Sequence, residues 1–207
     1  MIRVFFSLAA LILTAGMPAA QEYFPAFYRV TGVAPNDTLN VRLGPGPEHE
    51  VVTALAPNAT NIEVVGRDEA SGWLLLNTPD EWSGYASPRF LERLAGPPMN
   101  ELPLPLNCGG TEPFWGIGIG TDGTGTYYDP EKPEQPLTVD WQDTAAARQG
   151  DEFGLIMTGT DEKVHAVIHR QVCSDGMSDF SFGLKMDAIV RSGNLTFMLT
   201  GCCQLNR

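Results

Sequence analysis

The sequence predicts an all-β chain in two parts, and three observations predict it. Short apolar runs recur at intervals of about ten residues, with turn residues between them. No stretch from Glu22 to Leu94 offers a capped amphipathic helix of three turns. Ala95 to Leu106 then places four prolines in twelve residues, a semi-rigid extended linker. The expected organisation is a small barrel over 21–94, the linker over 95–106, and a small antiparallel β-barrel or sandwich over 107–207, stapled by disulfides.

The chain begins with a segment of a different kind. Met1-Ile-Arg3 is basic, Val4 to Leu13 is almost unbroken apolar sequence, and Pro18-Ala-Ala20 precedes the polar Gln21-Glu22. That pattern over 1–20 is a secretory signal peptide, too short to span a bilayer. No later segment is apolar and long enough to cross a membrane, so the expected mature protein is exported, to a bacterial periplasm or the cell exterior. The formal charge is −12. Ten acids and five bases lie in 21–95, and fifteen and seven in 96–207, so neither half carries a basic patch. This balance argues against nucleic acid and against anionic lipid surfaces as partners. The Asn-x-Thr sequons at Asn36, Asn58 and Asn194 matter only in a eukaryotic secretory pathway, which nothing else suggests.

In the first part the expected strands are Phe27 to Thr31, Leu39 to Val41, Val51 to Leu55, Ile62 to Val65, Trp73 to Leu76, Trp82 to Ala86 and Phe90-Leu91. Turn chemistry separates them: Ala34-Pro-Asn-Asp37, Gly44-Pro-Gly-Pro47, Pro57-Asn58, Glu69-Ala-Ser-Gly72 and Thr78-Pro-Asp80. Leu39 and Val41 alternate with Asn40 and Arg42, so one pair faces a core and the other solvent.

Val33-Ala-Pro-Asn-Asp-Thr-Leu-Asn-Val-Arg-Leu-Gly-Pro45 resembles the bacterial SH3 (SH3b) signature, a Leu-Asn-Val-Arg strand meeting a Gly-Pro turn. Trp73 and Gly84-Tyr-Ala-Ser-Pro-Arg-Phe-Leu91 fall where that family carries later strands, although Tyr85 and Ala86 replace the usual Trp and Val. The resemblance implies a binding or targeting module of exported proteins, often directed to cell-wall peptides, with no catalytic residues. Trp73, Trp82, Tyr85 and Phe90 are then the candidate ligand contacts. Aromatic side chains also dominate small cores, so core and turn packing is the competing and commoner role for each of the four.

In the second part the expected strands are Phe114 to Ile119, Thr124 to Tyr128, Leu137 to Trp141, Phe153 to Met157, Val164 to Cys173 and Asn194 to Thr200. The apolar positions of Val164 to Cys173 fit a helix about as well as a strand; β-branched content and missing caps favour the strand. Glu112-Pro-Phe-Trp115, Cys173-Ser-Asp-Gly-Met-Ser-Asp179 and Gly201-Cys-Cys203 resemble a family of small extracytoplasmic bacterial domains, found in lipoproteins and secreted proteins, that has no established activity. That likeness implies compartment and β-barrel form, and no chemistry.

Four cysteines in an exported protein imply two disulfides, and four allow three pairings. Bonding Cys202 to Cys203 is disfavoured, because adjacent Cα atoms are about 3.8 Å apart. Cys203 shares a strand face with Leu195, Phe197 and Leu199, the core face, while Cys202 lies on the outer one. Cys173 falls opposite Val164, Ala166, Ile168 and Val172, also outward. Parity therefore pairs Cys173 with Cys202, and Cys108 with Cys203.

Two sharper chemistries compete with this reading. His165, His169 and Cys173 recur at intervals of four, one face of a helix and a plausible zinc arrangement. On a strand that spacing spans about 13 Å, too long for one ion, so no metal and no cofactor is expected. Cys108 with His165 mimics the order of residues in cell-wall cysteine peptidases, which set the nucleophile at a helix N-terminus. Gly109-Gly110 and Gly116-Ile-Gly-Ile-Gly120 cannot build that helix. Asp151, Glu152, Asp175 and Asp179 form no acid–base pair by spacing. The expected function is a non-catalytic envelope protein that binds cell-wall fragments or an envelope protein. A peptidoglycan hydrolase using Cys108 and His165 is the alternative, and an inhibitor or sensor acting by protein contact is another.

Overall fold

The computed structural model describes residues 22–80 and 82–206, and the expected signal peptide lies outside them. Fifteen strands and a single 3₁₀ turn make up the described chain. In chain order the first seven strands are β1 (Ala26–Val30), β2 (Leu39–Arg42), β3 (Val51–Leu55), β4 (Ile62–Arg67), β5 (Leu74–Asn77), β6 (Ser83–Ala86) and, after the 3₁₀ turn Pro88–Phe90, β7 (Leu91–Arg93). They form one antiparallel sheet in the order β3-β2-β6-β5-β4-β1-β7, with β3 and β7 as its edges. Period-2 alternation sets the core: Ala26, Tyr28 and Val30 of β1, and Leu39 and Val41 of β2, point inward onto Val64, Leu74 and Leu76.

The remaining eight strands are β8 (Leu106–Thr111), β9 (Phe114–Ile119), β10 (Thr124–Asp129), β11 (Lys132–Thr144), β12 (Glu152–Thr158), β13 (Glu162–Cys173), β14 (Phe182–Ser192) and β15 (Leu195–Leu205). Each pairs with its sequence neighbours, and β15 returns to β8, which closes the barrel. Up-and-down closure leaves no free sheet edge. Val164 to Cys173 is strand: Val164, Ala166 and Ile168 are buried, and Lys163, His165 and Val167 face outward. β14 has no counterpart among the strands expected from sequence, although Leu184, Met186, Ala188 and Val190 alternate inward along it.

An eight-stranded barrel is just wide enough for side chains to fill, and this one is filled. Ile117, Phe153, Leu155, Met157, Ile168, Leu184 and Met186 are each almost wholly buried inside it. The proline-rich stretch is part of that packing, not a free spacer. Leu102 and Leu106 lie in the barrel core and Leu104 packs against it.

The sheet and the barrel share a polar and apolar seam. β4 is buried on both faces because its outer face meets the barrel. Glu63 there accepts a hydrogen bond from Asn77 Nδ2 at 3.0 Å and from the Leu205 backbone N–H at 2.8 Å. The Ser181 N–H donates to Ser83 Oγ at 2.6 Å. Arg170 is the hub of the seam. Its guanidinium donates to the carbonyls of Phe24, Met99, Glu101 and Gly150 and lies 4.8 Å from the Tyr23 ring centroid and 5.2 Å from that of Phe153. Burial outweighs nearby acids and lowers its pKa to about 10, so it stays charged at neutral pH. Among the described residues no helix is long and apolar enough to cross a membrane.

Candidate functional site

Three segments far apart in sequence meet at one end of the barrel: the β8–β9 turn, the loop from Ser174 to Ser181, and Gly201-Cys-Cys203 of β15. Trp115 joins the first of them to the last. Its indole, 6% exposed, lies against Gly110 and Gly201. A Cβ at Gly201 would collide with the Gly109 carbonyl and sit 2.7 Å from Trp115 Cζ2, so neither a larger residue nor a wider seam fits. Thr111 Oγ1 donates to the Asp175 carbonyl at 2.9 Å, which ties the loop to the turn.

Both disulfides converge on the same place. Cys108 bonds Cys203 inside the barrel core, where the two are direct cross-strand partners on β8 and β15. Their Cα atoms are 3.9 Å apart, below the usual range. Separation alone therefore does not set a Cys202–Cys203 bond apart; the opposite faces of neighbouring strand residues do. Cys173 bonds Cys202 on the outer side. Cys202 is buried although it points outward, because Cys173 and its loop lie over it.

Together these segments frame an open groove of about 390 Å³, lined by Thr111, Glu112, Asp175, Met177, Lys185 and Thr200 among others. Burial pushes the Asp175 carboxyl up, but hydrogen bonds from the Ser178 and Met177 N–H groups and the Ser178 hydroxyl outweigh it and hold the pKa below the usual range. Asp187, beside the groove, behaves alike. Burial opposes ionisation, while Lys185 at 2.6 Å and the Thr200 hydroxyl favour it. His169 lies 3.7 Å from Asp187 and 3.8 Å from Glu152. The groove thus offers a carboxylate, an ammonium group and hydroxyls on a preformed wall. No described cysteine is free, so it holds no thiol nucleophile.

The aromatic residues singled out from sequence are spread over the first sheet. Tyr85 of β6 faces outward opposite Leu75, on the face to which Trp73 also belongs by strand parity. Trp82 is 45% exposed, at the turn closed by the Thr78 N–H donating to the Trp82 carbonyl. Phe90 packs against the core of the sheet. None of the four rings stacks on another. His165 lies exposed on the barrel's outer face and Cys108 in its interior, so the geometry keeps the two apart. The hydrolase alternative fails on that placement and on the Cys108–Cys203 bond. His165 and His169 sit four residues apart on one strand with Cys173 in a disulfide, and among the described residues no cluster is arranged to hold a metal ion. Thr111, Lys185 and Thr200 carry no motif in the sequence; the lone signal for Lys185 is its outward place in the alternation of β14.

Comparison with protein-family models, with curated proteins and with solved structures finds no match for this chain.

Proposed function

We infer that the protein is an exported, non-catalytic binding protein of the bacterial envelope. Its first sheet is a bacterial SH3 module, and its ligand is a cell-wall fragment. The observation that carries the reading is the groove beside Trp115, where a disulfide, a buried indole and the Thr111–Asp175 bond hold Glu112 and Lys185 on a preformed surface. Wall peptides present ammonium and carboxylate groups together, and such a groove meets both: Glu112 takes the ammonium, and Lys185, one of whose three N–H groups is held by Asp187, gives another to the carboxylate. A packed barrel interior speaks against a lipocalin-type carrier and leaves binding to outer surfaces. Two disulfides support an oxidising compartment, in line with the apolar N-terminal segment.

Sedimentation with purified sacculi, followed by calorimetry with soluble wall fragments, tests this. Glu112→Gln with Lys185→Ala lowers binding at least tenfold if the groove is the site, and Trp82→Ala with Tyr85→Ala does so if the sheet is. Failure of the wild-type protein to sediment with sacculi or to bind fragments sinks the wall-binding reading, and an envelope protein recovered by cross-linking would take its place.

A further inference from the structure

The outer face of an up-and-down antiparallel barrel is ordinarily polar. Here one cross-strand row breaks that rule. The register places Trp141, Ile156, His165, Ile189 and Met198 side by side across β11, β12, β13, β14 and β15. Trp141 is 50% exposed, Ile189 53% and Met198 67%, with Val167 beside them at 41%. The Trp141 ring lies against Gly154, where a Cβ would meet Cζ3 at 2.8 Å, so this close approach needs a residue without a side chain. Among the described residues Trp141, Ile189 and Met198 stay exposed, and the first sheet packs elsewhere, against Val172 and Gly183.

The rows on either side carry opposite charge. Towards the disulfide end the next row is Asp143, Gly154, Val167, Asp187 and Thr200. Towards the other end it is Thr158, Lys163, Arg191 and Thr196. Lys163 and Arg191 are direct cross-strand partners, both exposed, and neither has an acidic partner among the described residues. Asp140, in the β11 bulge beside that row, accepts a hydrogen bond from Thr158 Oγ1. Like charges directly opposite each other on a sheet are destabilising. In a chain of formal charge −12, two adjacent bases without a counter-ion beside an apolar stripe call for a partner that supplies acid.

We propose that this face joins two copies of the chain in an isologous dimer whose two-fold axis runs along the stripe. That axis lays the stripe of one copy on the stripe of the other and exchanges the flanking rows. Arg191 of each copy then meets Asp187 of the partner copy, with Lys163 next to it. The other face-to-face axis, parallel to the strands, sets Lys163 and Arg191 against themselves, so the charges choose between the two. Five strands at about 4.8 Å and three outward rows at about 6.7 Å bound the face at roughly 500 Å² per copy, of which the barrel's curvature brings mainly the central strands into contact. That is at the low end for a specific interface, so the dimer is weak and concentration-dependent.

Sedimentation equilibrium of the purified protein across a concentration series is the test. The expected result is a monomer–dimer equilibrium in the micromolar range that Ile189→Asp shifts at least tenfold towards monomer. Arg191→Asp and Asp187→Arg each weaken it, and the two together restore it. Because Asp187→Arg also disturbs Lys185 and His169, an independent arm uses Ile189→Cys. Residue 189 faces its own copy across this axis, so mild oxidation yields a covalent dimer, while Thr126→Cys on the opposite wall yields none. A protein that stays monomeric to the highest concentration overturns the proposal, as does a dimer indifferent to Ile189→Asp. So does a monomer whose tryptophan fluorescence shifts on neutral phospholipid vesicles in the wild type but not in Trp141→Phe, since the stripe would then serve a lipid surface.

Discussion

Removing the two disulfides one at a time separates a structural role from a local one. In the chain-entropy picture a cross-link stabilises by restricting the unfolded chain, and its effect grows with the logarithm of the closed loop. Cys108–Cys203 spans 95 residues, worth about 4.7 kcal/mol, and Cys173–Cys202 spans 29, worth about 3.6 kcal/mol. The short loop is nested in the long one. With Cys173–Cys202 intact the unfolded chain has a shortcut across it, which lowers the contribution of Cys108–Cys203 to about 4.4 kcal/mol. Burial then adds to the difference. Cys108 and Cys203 sit in the barrel core, so truncating both to Ala also leaves a small cavity, at a cost of about 1 kcal/mol. The Cys108→Ala, Cys203→Ala variant therefore loses about 5 kcal/mol and the Cys173→Ala, Cys202→Ala variant about 3.5 kcal/mol. Parallel guanidinium unfolding curves, read by far-ultraviolet circular dichroism and tryptophan fluorescence, measure the pair. If the outer bond proved worth as much as the inner one, or if both were worth under about 1 kcal/mol, the loop argument would fail and the strand ladders alone would hold the seam closed.

Three further outcomes follow from particular residues. Gly201→Ala drives a Cβ into the Gly109 backbone, which no side-chain adjustment relieves; it costs about 3 kcal/mol, or roughly 10 °C in a thermal melt, whereas Gly176→Ala, with open space around it, costs about 1 kcal/mol for its positive φ. Arg170→Lys loses the fork that reaches four carbonyls and destabilises by about 2–4 kcal/mol, and chemical denaturation then shows the sheet and the barrel separating into two transitions. Ser178→Ala removes one of the donors that hold the Asp175 pKa low, so the titration of that carboxyl, followed by nuclear magnetic resonance, moves up. The sign for stability is that of a depressed acid: the contribution is present above the unfolded pKa and is lost as pH falls through the folded one, so the variant loses less on acidification than the wild type.

Which parts of this architecture the sequence discloses depends on what kind of contact makes them. Period-2 alternation discloses strand faces, because each outward or inward position is a property of the chain alone. It sends Cys202 and Cys203 to opposite sides of β15, whereas for Val164 to Cys173 the period alone leaves helix and strand level and β-branched content tips the reading to the observed strand. Parity weakens where a strand outruns the barrel: Leu195 shares the face of Cys203 yet is 69% exposed. The four-residue run Ile62 to Val65 is buried throughout, Glu63 included, because β4 has the barrel behind it. Two-sided burial is written in such a run, but not what lies on the second side. Arg170 leaves no trace at all. Its acceptors are backbone carbonyls at Phe24, Met99, Glu101 and Gly150, which any residue supplies, so nothing at those positions announces the hub.

The same distinction governs the two outer surfaces. The groove beside Trp115 draws on three motifs visible in the chain, but Thr111, Lys185 and Thr200 complete it through register, which sequence does not state. The stripe is legible still less. Trp141, Ile156, Ile189 and Met198 sit one to a strand, each a single outward apolar residue of the kind that is ordinary on any surface. Pairing across five strands turns four ordinary residues into one contiguous face, and the same register sets Lys163 against Arg191 on its flank. An apolar row bordered by uncompensated bases on one side and acids on the other is self-complementary under one two-fold axis and self-repelling under the other. Its charge pattern therefore carries the information about orientation, while its apolar area sets how tightly the copies hold.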